Sequence, residues 1–418
     1  MKRRQFLQSS ATVLGASLLP KIALASNQSE RKFIFVFNQG GWDPTRVFAP
    51  EFSNPLVAME SNSEENQIGD LRWVSNALRP SVDSFFQNHY ENTLLINGMQ
   101  VRSIAHEICT CLAYTGTISG TNPDWATAIG ANSINSLSIP HLVLGGPNFS
   151  GEYGAYVVQT GGNNQLEELL DGSIQERNDE YQPRLSFPSR SLIDQHIQAR
   201  GHAKASQALY GSNQKLSEAF RISIDNAMEL QNQRYVMNFS TSTALESQID
   251  TAVDALSKGI SRTVSLVFSG SSSLGWDTHA NNDDSQSQLF ESLFSDLDQL
   301  IFQLQSTLDD NGNPLSASTT VVVFSEMGRT PAINGTAGKD HWPFTSMMLW
   351  GEEISGNRVI GSFSSEYQGE KLDLQTGDIS SSGNTLGIES VGAGLLALAD
   401  IDPLEFIKDA DPLLGMLR

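Results

Sequence analysis

Five short runs in this chain are apolar without interruption and rich in β-branched or aromatic residues: Phe33–Phe37, Thr93–Asn97, His141–Leu144, Thr263–Phe268 and Thr320–Phe324. A strand with one wet face alternates apolar and polar side chains. A continuously apolar run belongs to a strand covered on both faces, as in a parallel sheet sandwiched between helices. Helical patterns fall between these runs. The clearest spans Leu289 to Leu308, where Leu289, Leu293, Leu297, Leu300, Ile301 and Leu304 share one face. Strand, helix and strand in that order predict an α/β fold with a doubly wound, mostly parallel sheet. The stretch from about 165 to 256 differs: it is polar, rich in Gln, Asn and Ser, and helical after Arg190, which reads as a helical insertion or cap. Asp309-Asp310-Asn311-Gly312-Asn313-Pro314 resembles a calcium loop but lacks the downstream Glu at the required spacing, so it reads as a turn.

The first residues, MKRRQFLQSSATVLGASLLPKIALASNQ, carry a charged start, a short apolar stretch and small residues at a cut site. Arg3 and Arg4, followed by Gln5, Phe6 and Leu7, resemble the signature read by the twin-arginine translocase, which exports folded proteins. The apolar part, Ala11 to Leu19, is too short to span a bilayer of about 30 Å. The expectation is a signal peptide over residues 1–25, cut after Ala23-Leu24-Ala25, and a mature domain over 26–418 in the periplasm or the medium. Cleavage removes Lys2, Arg3, Arg4 and Lys21 and no acid, taking the net charge from −21 to −25. So acidic a surface argues against nucleic acid as a partner. Cys109 and Cys111 are the only cysteines and lie too close in sequence for easy disulfide geometry.

Ligands of an open parallel sheet gather at the carboxyl ends of its strands, so the residues after each strand deserve inspection. The first strand leads into Asn38-Gln39-Gly40-Gly41-Trp42-Asp43, where paired glycines allow a tight turn and Asp43 projects from the sheet edge. The 263–268 strand leads to Gly275-Trp276-Asp277-Thr278-His279. Two residues apart in extended backbone, Asp277 and His279 face the same side, which suits a shared metal ion. The 320–324 strand leads to Ser325-Glu326-Met327-Gly328-Arg329-Thr330, and further on stand Asp340 and His341. Each acid or histidine alone reads as a turn, cap or surface residue. Together, carboxylates crowded at one edge would repel one another unless a cation neutralised them. Oxygen and imidazole donors suit Zn²⁺, Mn²⁺, Mg²⁺, Ca²⁺ or Fe, and the sequence leaves the divalent metal ion open.

The motifs GGWD, GWDTH, SEMGRT and GKDHWP, with the twin-arginine start, resemble the domain-of-unknown-function 1501 family, placed in the alkaline phosphatase and sulfatase-like superfamily. The resemblance runs from about Phe33 to Leu417. It implies a sheet of the alkaline phosphatase-like type with a metal site of Asp and His at strand ends. It also implies metal-ligand roles for Asp43, Asp277, His279, Glu326 and His341, and Asp340, at the same predicted sheet edge, is a further candidate ligand. After the 93–97 strand, a helix beginning near His106 offers its positive end to an anion. Ser103 and Thr110 are candidate nucleophiles there, and His106 is a candidate ligand or acid. Cys111-Leu112-Ala113 begins like the sulfatase signature, but Thr115 stands where that pattern has Arg, so formylglycine chemistry is not expected.

Two functions follow as expectations. One is an exported metal-dependent hydrolase of small-molecule or polymeric phosphate or sulfate esters, with Arg329 stabilising transition-state charge and His106 or His341 moving protons. The other is a non-catalytic exported binding or assembly protein that keeps a degenerate metal site. The resemblance implies an exported partner of the domain-of-unknown-function 1800 type for it.

Overall fold

A computed structural model describes residues 30–160, 174–175, 181–182, 187–208, 210–233, 242–270 and 273–418. The expected signal peptide and part of the 165–256 stretch lie outside the described residues.

The main sheet has eight strands: β1 (Lys32–Phe37), β2 (Thr93–Gln100), β3 (His141–Val143), β4 (Val157–Gln159), β5 (Thr263–Val267), β6 (Thr319–Phe324), β7 (Phe344–Trp350) and β8 (Arg358–Ile360). Their order across the sheet is β8-β2-β7-β6-β1-β5-β3-β4. β1 pairs in parallel with β6 and β5, which are its neighbours on either side. β7 runs antiparallel to both β6 and β2. The expected mostly parallel α/β sheet is thus present, with one reversed strand that the sequence reading did not pick out.

Side chains of alternating parity separate the core into two layers. Ile34, Val36, Val321, Val323, Val264 and Leu266 face one side, while Phe33, Phe35, Phe37, Val322 and Phe324 face the other. The first layer is closed by α1 (Pro80–His89), α6 (Leu245–Ser257) and α7 (Asn282–Ser306). The second is closed by α2 (His106–Thr115), α3 (Trp125–Ala131) and α8 (Ile388–Leu398). Because every central strand buries both faces, the continuous apolar runs are a direct consequence of the three-layer packing. On α7, the apolar stripe Leu289, Leu293, Leu297, Leu300, Ile301 and Leu304 is buried as expected.

Between β4 and β5 lie α4 (Phe187–Gln207) and α5 (Gly211–Gln233). α6 belongs to the sheet layer, since Leu245, Ile249, Ala252 and Leu256 are in its core. The Asp309 segment is a turn, with Asp309 Oδ1 accepting from the amides of Asn311 and Asn313 at 2.9 Å each. Cys109 and Cys111 are buried free thiols. Among the described residues, no helix is long and apolar enough to cross a membrane.

β1, β5 and β6 end at one sheet edge, where β7 begins. The reversal of β7 therefore brings His341, three residues before it, to the same edge as the loops after β1, β5 and β6.

Candidate metal centre

Two buried tryptophans anchor the loops that carry acids. Trp42 and Trp276 meet edge to face at 6.3 Å, and Trp276 packs on Phe290 at 4.8 Å. Their ring nitrogens are satisfied by Thr345 Oγ1 and the Phe268 carbonyl, each at 3.0 Å, so both indoles sit in one orientation. Gly40 lies between these loops at φ +127°, a region that side chains other than glycine rarely adopt. A methyl group there would stand 2.8 Å from the Asp277 amide nitrogen. The close approach of the two loops requires the glycine.

Three imidazoles meet at this edge, each held through Nδ1. His106, the first residue of α2, places Nδ1 2.8 Å from Glu326 Oε1. His279 Nδ1 lies 2.9 Å from Asp340 Oδ1, and His341 Nδ1 lies 2.8 Å from the Ile104 carbonyl. A carbonyl oxygen only accepts, and both carboxylates accept, which assigns the ring proton to Nδ1 in each histidine. The Nε2 lone pairs are left pointing at one another. His279 Nε2 and His341 Nε2 are 3.0 Å apart, and both are 3.2 Å from Asp277 Oδ1. His106 Nε2 is buried without a hydrogen-bond partner and lies 3.6 Å from Asp277 Oδ2. One ligand atom from each of His106, Asp277 and His341 falls within 4.8 Å of the other two.

Acceptors facing acceptors at such distances need positive charge between them. A proton shared by His279 and His341 satisfies that pair but leaves His106 Nε2 orphaned. A cation held among His106, Asp277 and His341, whose ligand atoms lie within 4.8 Å of one another, would satisfy His106 Nε2 as well. Oriented imidazoles backed by carboxylates or carbonyls are also the usual outer shell of metal-binding histidines. The side chains of His106 and His341 are 33% and 20% exposed, and that of His279 is 47% exposed, so the cluster opens to solvent on the His279 side.

Charge at the site follows from these contacts. The hydrogen bond to Glu326 raises the His106 pKa against the opposing effects of partial burial and the Arg329 charge. Burial alone would raise the Asp277 pKa, but Arg329 at 2.7 Å outweighs it and holds the carboxylate below its usual range. The hydrogen bond from His279 lowers that of Asp340.

Four of the expected site residues have partners that the sequence alone did not show. Asp43 is not among the converging groups: Oδ1 accepts from the Thr45 amide at 3.0 Å and hydroxyl at 2.6 Å, and Oδ2 faces Lys339 Nζ at 2.8 Å and Asn282 Nδ2 at 2.9 Å. Its burial is outweighed by Lys339 and Arg46, which hold its pKa far below the ordinary carboxylate range. Glu326 is fully buried and accepts from the Gly40 amide at 2.9 Å as well as from His106. Asp340 likewise accepts from His279, and Asn334 donates to it at 3.3 Å. Arg329 is fully buried, and its nitrogens donate to the Gly40, Gly41, Trp276 and Lys339 carbonyls and to Asp277. It ties loops together and does not reach solvent.

Ser103 Oγ accepts from the Ala105 amide at 3.2 Å, turning the hydroxyl toward the backbone at the start of α2. Thr110 stands half-buried one helical turn beyond His106. Sequence reasoning missed Asn282 and Gln286 on α7: the first donates to Asp43, and the second accepts from the Asp43 amide at 3.0 Å and donates to the Trp276 carbonyl at 3.0 Å. Nothing in an amphipathic helix marks two polar residues as loop anchors.

Residues 30–373 match the family described as "Protein of unknown function (DUF1501)". No curated protein matches the chain. Among solved structures, the lipoteichoic acid synthase LtaP from Listeria monocytogenes aligns at 11% identity and TM-score 0.40, covering 93% of this chain and 76% of that one. The PsFucS1 sulfatase from Pseudoalteromonas sp. aligns at 9% identity and TM-score 0.35, covering 100% of this chain and 76% of that one. A TAB5 alkaline phosphatase mutant with Mg bound aligns at 8% identity and TM-score 0.34, covering 90% and 100%.

Proposed function

This chain belongs to the DUF1501 family, and for it we propose a metal-dependent hydrolase of phosphate or sulfate esters built on His106, Asp277, His279 and His341. One observation carries the reading: ligand atoms of His106, Asp277 and His341 lie within 4.8 Å of one another, with His279 Nε2 3.0 Å from His341 Nε2, and each ring is fixed by a partner on its other nitrogen. The resemblance of the GGWD, GWDTH, SEMGRT and GKDHWP motifs points the same way. Three ring nitrogens and one carboxylate suit Zn²⁺ or another imidazole-preferring ion better than Mg²⁺ or Ca²⁺. A cation held by His106, Asp277, His279 and His341 would supply Lewis acidity toward ester oxygens and toward a hydroxyl or water. The chain's own residues supply orientation. Glu326, Asp340 and the Ile104 carbonyl hold the rings, Arg329 holds Asp277, and the His279 side admits substrate. With the Ser103 hydroxyl turned to the backbone, the attacking group in this reading is water.

A second reading, a non-catalytic exported protein that uses the centre for binding or assembly with a partner of the domain-of-unknown-function 1800 type, has its own support. Arg329 is the guanidinium nearest the cluster, and it is spent on carbonyls and Asp277. A screen of chromogenic phosphate and sulfate esters across several divalent metals separates the two. Turnover lost in Asp277→Ala supports the hydrolase, and turnover no greater than that of the variant supports the binding protein.

We propose export in the folded state by the twin-arginine translocase, to the periplasm, the cell surface or the medium; Arg3-Arg4 and the short apolar stretch support it. Retention of an Arg3→Lys, Arg4→Lys variant in the cytoplasm tests it, and unchanged export would refute it.

A further inference from the structure

Asp43 is a carboxylate buried with its own counter-cation. Lys339 Nζ stands 2.8 Å from Asp43 Oδ2 and 3.0 Å from Thr45 Oγ1, and neither charged side chain has any exposed surface. The other neighbours of the carboxylate are the Thr45 amide and hydroxyl and the Asn282 amide group. Arg46 approaches Oδ2 only to 3.6 Å, because its guanidinium is turned to Asp283 at 2.7 Å. The ammonium is fixed from its backbone as well: the Lys339 amide donates to the Thr278 carbonyl at 3.1 Å, and its carbonyl accepts from Arg329 at 3.2 Å.

We infer that the Lys339 ammonium fills a cation site at Asp43, standing where a hydrated divalent ion would otherwise sit, so that the protein holds one metal ion and not two. For that count alone the inference rests on the reading of the histidine cluster as a metal centre. A buried carboxylate demands a full counter-charge, and removing the partner leaves a strongly destabilising uncompensated charge. A cation tethered to the chain meets that demand without competition from solvent ions. The carboxylate and hydroxyl oxygens around Nζ are hard donors of the kind Mg²⁺ takes, often with several waters retained. Truncation to alanine frees the length of the lysine stem for those waters and leaves Asp43 only Arg46 at 3.6 Å, a guanidinium already shared with Asp283.

The test is the metal count of folded protein equilibrated with Zn²⁺ and Mg²⁺ and freed of excess, together with the thermal shift on adding Mg²⁺. The wild type is expected to bind one ion and Lys339→Ala two, with Mg²⁺ raising the melting temperature of Lys339→Ala and not that of Lys339→Met, whose apolar stem fills the space. The neutral pair Asp43→Asn with Lys339→Met keeps the wild-type count. Two ions in the wild type, a lower count in the neutral pair, or a folded Lys339→Ala that gains none overturns the inference. Should Lys339→Ala fail to fold in either metal, the neutral pair decides: an unchanged count upholds the inference, and a lower one refutes it. A wild type with no metal beside a Lys339→Ala protein with one removes the histidine centre but leaves the Lys339 site standing.

Discussion

His279 and His341 face each other Nε2 to Nε2 at 3.0 Å, while Asp340 and the Ile104 carbonyl engage the opposite nitrogens of the two rings. Imidazoles carrying their ring proton on Nδ1 present lone pair to lone pair here, and Asp277 Oδ1 adds a third acceptor 3.2 Å from both. In the proposed function a cation lies among the three, and His106 Nε2, 3.6 Å from Asp277 Oδ2 and without a hydrogen-bond partner, approaches it from α2.

Asp340 touches the centre only through His279, and its own side chain is 60% exposed. Asp340→Asn removes the charge behind the ring with little effect on folding, since surface changes away from packed features are usually within about 0.5 kcal/mol. The expected outcome is metal affinity about 10- to 100-fold weaker at an unchanged melting temperature of the metal-free protein. Calorimetric titration with Zn²⁺ measures it, and an unchanged affinity would mean that His279 is not a ligand.

Glu326 sets the basicity of His106. Because the His106 pKa is raised, its Nε2 gains a proton, and stops being a donor to metal, at a higher pH than an ordinary histidine. Metal affinity of the wild type therefore declines as pH falls through that raised value. Glu326→Gln removes the main cause of the rise, so the decline is expected to begin at lower pH, with weaker affinity at neutral pH. Zn²⁺ titrations across the acid range read this, and an onset that does not move argues against His106 as a ligand.

Much of this was legible in the chain before its structure, because burial on both strand faces imprints the sequence directly. β1, β2, β3, β5 and β6 were found by their apolar runs. β7 was not, since Phe344-Thr345-Ser346-Met347-Met348-Leu349-Trp350 lacks a β-branched run. Spacing and placement after strands brought Asp277, His279 and His341 to one edge. The different partners of these acids were not readable, because Asp43, Glu326 and Asp340 differ from Asp277 only in contacts with residues distant in sequence. Lys339 lies 296 positions from Asp43, and no local pattern announces that pairing.

Asp296 on α7 offers a test of packing that is independent of the metal. Burial, and then the charge of Glu246, push its pKa up from 3.8 to about 6. A carboxyl group with a raised folded value favours folding fully below the unfolded value, and that contribution is lost as pH rises through about 6. Asp296→Asn should therefore stabilise the protein at pH 7.5 by about 1 kcal/mol, after allowance for solvent screening, and leave it unchanged near pH 4. Denaturant unfolding at the two pH values checks this, and equal gains at both would contradict it.

Gly40→Ala tests whether the approach of the β1 loop positions Asp277. The variant adds a methyl group 2.8 Å from the Asp277 amide at a backbone angle that alanine resists, with an expected cost of about 1–3 kcal/mol. The variant should remain folded, melt at lower temperature and lose metal affinity together with the displaced Asp277. Full metal affinity in a folded Gly40→Ala protein would show that this approach does not set the site.

The most direct measurement is elemental analysis of the purified protein after equilibration with divalent metals. A single cation held by His106, Asp277, His279 and His341 predicts one ion per chain, lost in Asp277→Ala and in His341→Ala while both variants stay folded. A protein that binds no ion under any of these conditions, or keeps its ion in both variants, contradicts the account.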